Sequence, residues 1–171
     1  QAKVINFGIL YGMGVSALRM NLAQGGQETS REDAQNFYNE YFNTFNGIAS
    51  YLEEVKRSAA ALGYTKTLFG RRRYFEGIKS KLPFIRAAAE RMAINAPVQG
   101  TLADIAKLAM LRVQKEVCDN PKNGIIMLMQ IHDELVFEVD VDKAEKRANE
   151  IKKIMEAVLV DSFEEYKKFE K

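Results

Sequence analysis

The segment IHDELVF, residues 131–137, places two acids, Asp133 and Glu134, directly after the chain's only histidine. Apolar, β-prone segments flank them, IIMLMQI before and LVFEV after, which predicts a tight β-turn-β with the acids at the bend. Charged groups are costly to place among apolar residues unless something compensates them. This arrangement indicates that the two carboxylates have a chemical use.

A second group of candidate residues lies near the start of the chain. Lys3, Phe7 and Tyr11 are spaced four residues apart in a pattern typical of a helix. Each step of four residues turns about 40° around a helix axis, so one cation and two aromatic rings share one face. The alternative is an ordinary amphipathic helix with both rings in a core and the lysine reaching solvent.

Polar residues recur at the same spacing later in the chain, at Arg91, Asn95 and Gln99. Pro97 lies inside the second interval, so only the first pair is expected on one helical face. A surface helix with ordinary polar residues is the alternative. The run Arg71–Arg73 concentrates positive charge, although a charge run is usually a solvated face.

The hydrophobic periodicity and the turn residues of the rest of the sequence predict the helices and hairpins that carry these groups. Helices are expected up to Tyr11, through VSALRMNLAQ, and from a capping box at Ser30 and Asp33 to about Leu62, with a pause near Gly47. GYTKTLFGRRRYF predicts a small hairpin. A helix beginning at Pro83 should end before Pro97, with PVQGT as a turn. Further helices are expected over residues 102–117 and 142–169, the last being structural, with Ile151, Ile154 and Met155 inside.

Composition bounds the class of protein. The chain has 171 residues, 47% hydrophobic content and a net charge of +2, values that suit a packed core and mark neither a nucleic-acid binder nor a membrane-surface protein on average. One cysteine cannot form an internal disulfide, and no apolar run reaches roughly 18 residues. We therefore expect a reducing cytoplasmic location with no membrane partner. Because the chain opens at Gln1 inside a helical pattern, we expect a piece of a longer protein.

Five segments together resemble one family. KVINFGILYG resembles the O-helix motif of family A DNA polymerases, the group of bacterial DNA polymerase I, and TLFGRRRY, AAERMAIN, PVQGT and IHDELVFEV resemble later segments in the same order. The resemblance implies an α+β fold, with helical fingers and part of the antiparallel-sheet palm of a right-hand polymerase. Residues 1–79 would be fingers and residues 80–171 a partial palm.

The resemblance also implies roles for residues near the reacting groups. Asp133 would bind catalytic metal, Glu134 would support the metal site with a weaker claim to direct ligation, and two Mg²⁺ ions are expected in the complete site. His132 would contact the primer's terminal nucleotide, the alternative being a turn histidine with local hydrogen bonds. Lys3 would bind the triphosphate of the dNTP, Phe7 would pack on its sugar, and Tyr11 would stack where the template base enters.

Other positions would contact primer-template DNA by the same resemblance. Arg91, Asn95 and Gln99 match the family's minor-groove and primer-template contacts, a position where hydrogen-bond donors test base-pair shape without reading sequence. At least some of Arg71, Arg72 and Arg73 would contact phosphates.

Three parts of the family's pattern are missing from the sequence, and one of them is the strand that normally follows the last helix. The arginine expected four residues before Lys3 is absent, and so is the upstream strand whose aspartate is the other metal-bridging carboxylate. Two hypotheses follow. In the first, the chain is a catalytic segment for template-directed DNA synthesis, inactive alone and dependent on an upstream polymerase segment that supplies the Asp, the Arg and the thumb. In the second, it is a noncatalytic remnant or nucleic-acid-binding module.

Overall fold

The computed structural model describes residues 2–169, apart from the side chains of 2–4, 165 and 167–169. Within this range, helices and two antiparallel hairpins form a largely helical α+β architecture, which confirms the predicted class. The elements are α1 (Ala2–Leu10), α2 (Val15–Gln24), α3 (Arg31–Thr44), α4 (Asn46–Leu62), β1 (Tyr64–Lys66), β2 (Arg72–Tyr74), α5 (Pro83–Val113), β3 (Ile125–Ile131), β4 (Glu134–Val139) and α6 (Ala144–Phe169).

The chain divides into two compact units. The first consists of residues 1–66 and 72–98, and the second of residues 67–71 and 99–171. None of the helices in the described part of the chain is both long enough and apolar enough to span a membrane.

The first unit begins with helices whose ends follow local sequence signals. Ser30 caps α3, because its hydroxyl oxygen accepts a 3.0 Å hydrogen bond from the backbone N–H of Asp33. The same hydroxyl donates to the Asp33 carboxylate at 2.7 Å, whereas a capping box joins that carboxylate to the backbone N–H of the cap residue, so only the cap at Ser30 is confirmed. The expected pause near Gly47 is the break between α3 and α4.

A small hairpin follows α4, as predicted. Gly63 ends the helix with a φ of 83°, a backbone conformation that glycine adopts without a steric penalty. β1 and β2 then pair antiparallel, with Tyr64 opposite Tyr74. Two clusters form the core of this unit, and alanines on one face of α5 allow close packing in the first of them. The clusters are Ala59, Phe75, Ile78, Ala89, Ala93 and Ala96, and Leu52, Val55 and Ile94.

Helix α5 contradicts the prediction of two helices separated by a turn at PVQGT. It runs without interruption from Pro83 to Val113 and contains Pro97 in its interior. Proline removes one backbone donor and disfavours the helix interior by about 3 kcal/mol, so local preference alone favours the predicted break. The helix continues because residues on both sides of Pro97 pack into cores, from Ala93 and Ala96 before it to Ala109 and Val113 after it.

The second unit is built around the β3–β4 hairpin. Val113, Val117, Ile125 and Ile151 form its buried cluster, and Ile154 packs against that cluster. A π-helical turn over residues 114–118 extends α5 toward β3, where the sequence predicted ordinary helix to about Val117. α6 confirms the predicted last helix, with Ile151 and Ile154 facing the core. Met155 was expected inside as well, but it is 37% exposed: although it lies only about 40° from Ile151 around the helix, Ile154, on the other side of Ile151, is the neighbour that packs against the cluster.

The buried cluster of the second unit leads to a stability prediction. Val113→Ala removes methyl groups from a side chain with no exposed surface, so we expect a loss of about 2 kcal/mol in the free energy of unfolding. Val141→Ala is the matched control, because Val141 is 94% exposed and its loss should cost less than about 0.5 kcal/mol. Urea unfolding followed by circular dichroism measures both. Equal losses would contradict the assignment of Val113 to the core.

Candidate functional site

The two acids and the histidine occupy the turn of the β3–β4 hairpin. His132 and Asp133 form the turn, and Glu134 begins β4 opposite Ile131. His132 has a φ of 54°, in the left-handed region that residues with a side chain seldom adopt. Its carbonyl oxygen accepts a 2.8 Å hydrogen bond from the Gln130 side chain, which supports this backbone conformation. The turn therefore holds two neighbouring carboxylates on a short, hydrogen-bonded loop.

The surroundings of this turn differ from those expected. His132, Asp133 and Glu134 are all exposed, and Ile131 is 47% exposed, so the apolar flanks do not enclose the charges. The acids lie at the tip of the hairpin and not between packed strands. Among the described residues, no group of three or more His, Cys, Asp or Glu side chains could hold a metal ion.

The face of α1 carries the two aromatic residues expected there. The Phe7 and Tyr11 rings are stacked, with centroids 6.1 Å apart and planes inclined by 15°. Phe7 is 46% exposed and Tyr11 is partly exposed, so these rings are not part of a core as the amphipathic alternative required. The side chain of Lys3, predicted on the same face, lies outside the described residues.

The end of α1 meets α5 at a glycine. Gly12 has a φ of 87°, and a Cβ atom placed on it would lie 3.0 Å from Cγ of Arg91. The aliphatic stem of Arg91 therefore passes directly over this backbone. The contact joins two segments that the sequence singled out separately, the Tyr-Gly end of α1 and the arginine of AAERMAIN.

A cavity of about 390 Å³ lies beside this contact, within the first unit. Its lining includes Gly12, Arg91, Tyr38 and the ion pair between Lys56 and Glu53. The N–O distance of this ion pair is 2.7 Å. Burial raises the pKa of Tyr38, against a smaller lowering effect from Lys56. The cavity therefore has a polar wall in which Lys56 and Glu53 neutralise each other.

The other polar positions of α5 differ in their surroundings. Asn95 is half-buried, one helical turn after Arg91, and its Oδ1 has no hydrogen-bond partner in the described structure. Gln99 is exposed on the same continuous helix, so the expected break between them is absent. A buried acceptor without a partner is uncommon and marks a position where water or a ligand can bind.

The arginine run separates into residues with different partners. Arg72 lies 4.9 Å above the Tyr64 ring and Arg73 lies 5.6 Å from the Phe75 ring, and both are on the fully exposed strand β2. Arg71 instead donates a 2.7 Å hydrogen bond to the carboxylate of Asp104 in α5. The run is therefore not a uniform solvated face.

Sequence reasoning missed the partner of Arg71. Asp104 lies 33 residues away from Arg71 and belongs to none of the motifs found in the sequence, so only the fold brings the two residues together. One weak indication was present, since Thr101 and Asp104 are spaced to share a helical face that is otherwise apolar or small.

Comparison with known proteins gives one consistent result. The family model described as DNA polymerase family A matches residues 1–164. The thermostable DNA polymerase I of Thermus aquaticus is 43% identical over 157 residues, covering 92% of this chain and 18% of the relative. DNA polymerase I of Rhizobium leguminosarum is 38% identical over 165 residues, covering 96% of this chain and 16% of the relative.

A solved structure agrees with these relatives. The POL domain of Pol1 from M. smegmatis, in complex with DNA primer-template and dNTP, superposes with a TM-score of 0.82 at 36% identity, covering 91% of this chain and 26% of that one. The chain thus spans only a small part of the length of its relatives. Since the family model covers almost all of the chain and the solved domain shares its fold, the resemblance found in the sequence is confirmed: the chain belongs to DNA polymerase family A.

Proposed function

We propose that this chain carries part of the catalytic site for template-directed DNA synthesis, the transfer of a nucleotide from a dNTP to a primer 3′-hydroxyl. The observation that carries the proposal is the pair of carboxylates on the exposed hairpin turn at Asp133 and Glu134, within a chain matched by the family model from residue 1 to residue 164. Membership of the family supports a polymerase reaction. The turn is the part of the chain that has the donor groups this reaction needs.

The turn fits the requirements of Mg²⁺ in part. Mg²⁺ binds oxygen donors and commonly uses one or two carboxylates, with water and substrate phosphates completing its shell. Asp133 and Glu134 supply such oxygens, and their exposure leaves room for substrate. In this role Asp133 would be the ligand, and Glu134 would support it. When bound, a pair of such ions stabilises the attacking and leaving oxygens of an in-line displacement.

The chain's own residues would bind and orient the substrates. The stacked rings of Phe7 and Tyr11 offer an exposed apolar surface of the kind that a sugar and a base can pack against. Lys3, placed on the same face by its spacing, would contribute a positive charge to the triphosphate. His132 would hydrogen-bond the primer terminus from the same turn as the acids. These roles follow the family's pattern position by position.

Contacts to primer-template DNA would come from the middle of α5 and from the β1–β2 hairpin. Arg91, Asn95 and Gln99 would face the minor groove, where their side-chain N–H groups would donate to acceptors that all base pairs share. Arg72 and Arg73 on exposed β2 would contact phosphates. In this scheme residues 1–79 are fingers and residues 80–171 part of the palm.

An upstream polymerase segment is the proposed partner. β3 and β4 form a two-stranded sheet in the described structure, and Ile126 and Leu128 of β3 are 61% and 50% exposed. A two-stranded sheet with exposed apolar residues is marginal alone and is a suitable edge for another strand. A segment carrying the second metal-binding aspartate would complete both the sheet and the site. The alternative, a noncatalytic nucleic-acid-binding module, predicts no activity with any such segment.

The first test concerns the metal ligand. In a polymerase completed by the upstream segment, Asp133→Ala should lower kcat by at least about 10²-fold, the size expected for loss of one electrostatic group at the reacting centre. DNA binding should change little. Asp142→Ala is the matched control, since it removes another exposed carboxylate of the same unit. Primer extension with Mg²⁺ measures both, and near-normal turnover by Asp133→Ala would remove this residue from the site.

The second test concerns the triphosphate. Lys3→Ala should raise the KM for dNTP or lower kcat by roughly 10-fold or more while leaving primer-template affinity nearly unchanged, because only the nucleotide loses a charge partner. Lys153→Ala in α6 removes a lysine from a helix with no proposed site. Steady-state extension and a separate DNA-binding titration give the two quantities. A change in DNA affinity alone would assign Lys3 to the phosphate backbone instead.

The third test asks whether the chain needs a partner. The 171 residues alone should give no detectable extension, because one carboxylate motif leaves the two-ion site incomplete. Mixing with a polypeptide that carries the upstream palm and thumb should restore extension, and mixing with the same polypeptide lacking its aspartate should not. Extension by the chain alone would contradict the proposed division of the site. A failure of every mixture would favour the noncatalytic module.

A further inference from the structure

Helix α5 continues through a segment that local preference disfavours. Pro97 and Gly100 are the two residue types least suited to a helix interior, and they lie three positions apart. The helix nevertheless keeps its regular form through Gln99, Gly100 and Thr101. A tertiary contact that binds the helix near Gly100 would offset part of this local cost.

The loop of the β1–β2 hairpin makes that contact. Arg71 donates from Nε to Oδ1 of Asp104 at 2.7 Å and from Nη2 to the carbonyl oxygen of Gly100 at 3.0 Å. The backbone N–H of Leu68 donates to the Thr101 hydroxyl at 2.9 Å. One guanidinium thus spans a full helical turn, from a backbone carbonyl to the side chain four residues later.

The fit between loop and helix depends on close approach. A Cβ atom on Gly100 would lie 2.6 Å from Cγ2 of Thr67, so a residue with a side chain there would push the loop away. The loop is closed by its own bonds, since the Thr67 N–H donates to the Arg71 carbonyl at 2.9 Å and the Arg71 N–H donates to the Thr67 hydroxyl at 3.2 Å. Arg71 is therefore presented to the helix by a small, rigid turn.

The burial of the ion pair is uneven. The Asp104 side chain is 13% exposed, whereas that of Arg71 is 50% exposed. A largely buried carboxylate needs its charge partner, because its own contact with water is lost. Arg71 binds Oδ1 of Asp104, whereas Oδ2 has no hydrogen-bond partner in the described structure, so Arg71 is the group that compensates this charge. Arg71 therefore has a structural role, because its guanidinium group is bonded to α5.

We propose that Arg71 is a positioning residue that acts through α5 to place Gln99, and that it does not contact DNA phosphates itself. Gln99 adjoins Gly100, the residue whose carbonyl Arg71 binds, in the interior of the same continuous helix. This inference rests on the primer-template role proposed for Gln99. Within the arginine run, phosphate contact then belongs to the neighbours Arg72 and Arg73.

Hydrogen–deuterium exchange of the 171-residue chain tests the contact directly. Arg71→Lys keeps the positive charge but cannot make both bonds of the guanidinium fork. Backbone amides of residues 99–104 should therefore exchange about tenfold faster or more in Arg71→Lys, and equally so in Asp104→Asn, as expected for loss of a charged hydrogen bond. Arg72→Lys is the matched control and should leave these amides unchanged. Unchanged exchange in Arg71→Lys would overturn the proposal.

The salt dependence of duplex binding separates positioning from phosphate contact. The logarithm of the DNA association constant falls as the logarithm of the salt concentration rises. Arg72→Gln should make this negative slope less steep by roughly one, and Arg71→Gln should leave it unchanged. If Arg71→Gln makes it less steep by the same amount, Arg71 contacts phosphate and the proposal is wrong. If the unaltered chain shows no salt-dependent binding, the DNA contacts proposed for it fail, and the exchange experiment still decides the role of Arg71.

Primer extension by the completed polymerase tests the link to Gln99. If Arg71 acts through Gln99, the losses in kcat/KM caused by Arg71→Gln and Gln99→Ala should not multiply, and the double variant should resemble Gln99→Ala alone. Losses that multiply would show that the two residues act independently and would overturn the positioning role. If Gln99→Ala leaves extension unchanged, the role proposed for Gln99 is wrong, and with it the positioning of Gln99 by Arg71.

Discussion

The continuity of helix α5 is the constraint on which most of this structure depends. Its first half contributes Ala89, Ala93 and Ala96 to the core of one unit, and its second half contributes Val113 to the core of the other. Packing at both ends, together with the hairpin loop bound near Gly100, outweighs a local preference of about 3 kcal/mol against the helix.

The acidic turn differs from the core in that its two carboxylates are exposed to solvent. A two-residue turn between paired strands allows little movement, and the left-handed His132 is supported by a hydrogen bond to its carbonyl. The carboxylates beside it remain in solvent, so the protein does not bear the free-energy cost of desolvating them. Rigidity of the backbone combined with exposure of the oxygens is what a site for an incoming charged substrate requires.

The basic residues illustrate how identical side chains acquire different uses. Three successive arginines alternate in direction along a strand and its preceding loop, so their guanidinium groups reach different neighbours. One is bonded to a largely buried carboxylate, and the next lies over a tyrosine ring on an exposed strand. Charge counted along the sequence therefore overstates the charge that is available to a polyanionic ligand.

The sequence by itself determined the family, the α+β class, the helix cap at Ser30, both hairpins and the position of the acidic turn. These features depend on residues close together in the chain, where turn chemistry and periodicity act directly. Only the tertiary structure decided that α5 continues through Pro97, that Met155 is exposed, and that Arg71 is bonded to Asp104. The physical reason is that these outcomes depend on packing and ion pairing between distant residues, whose energies exceed local preferences and leave no short-range pattern.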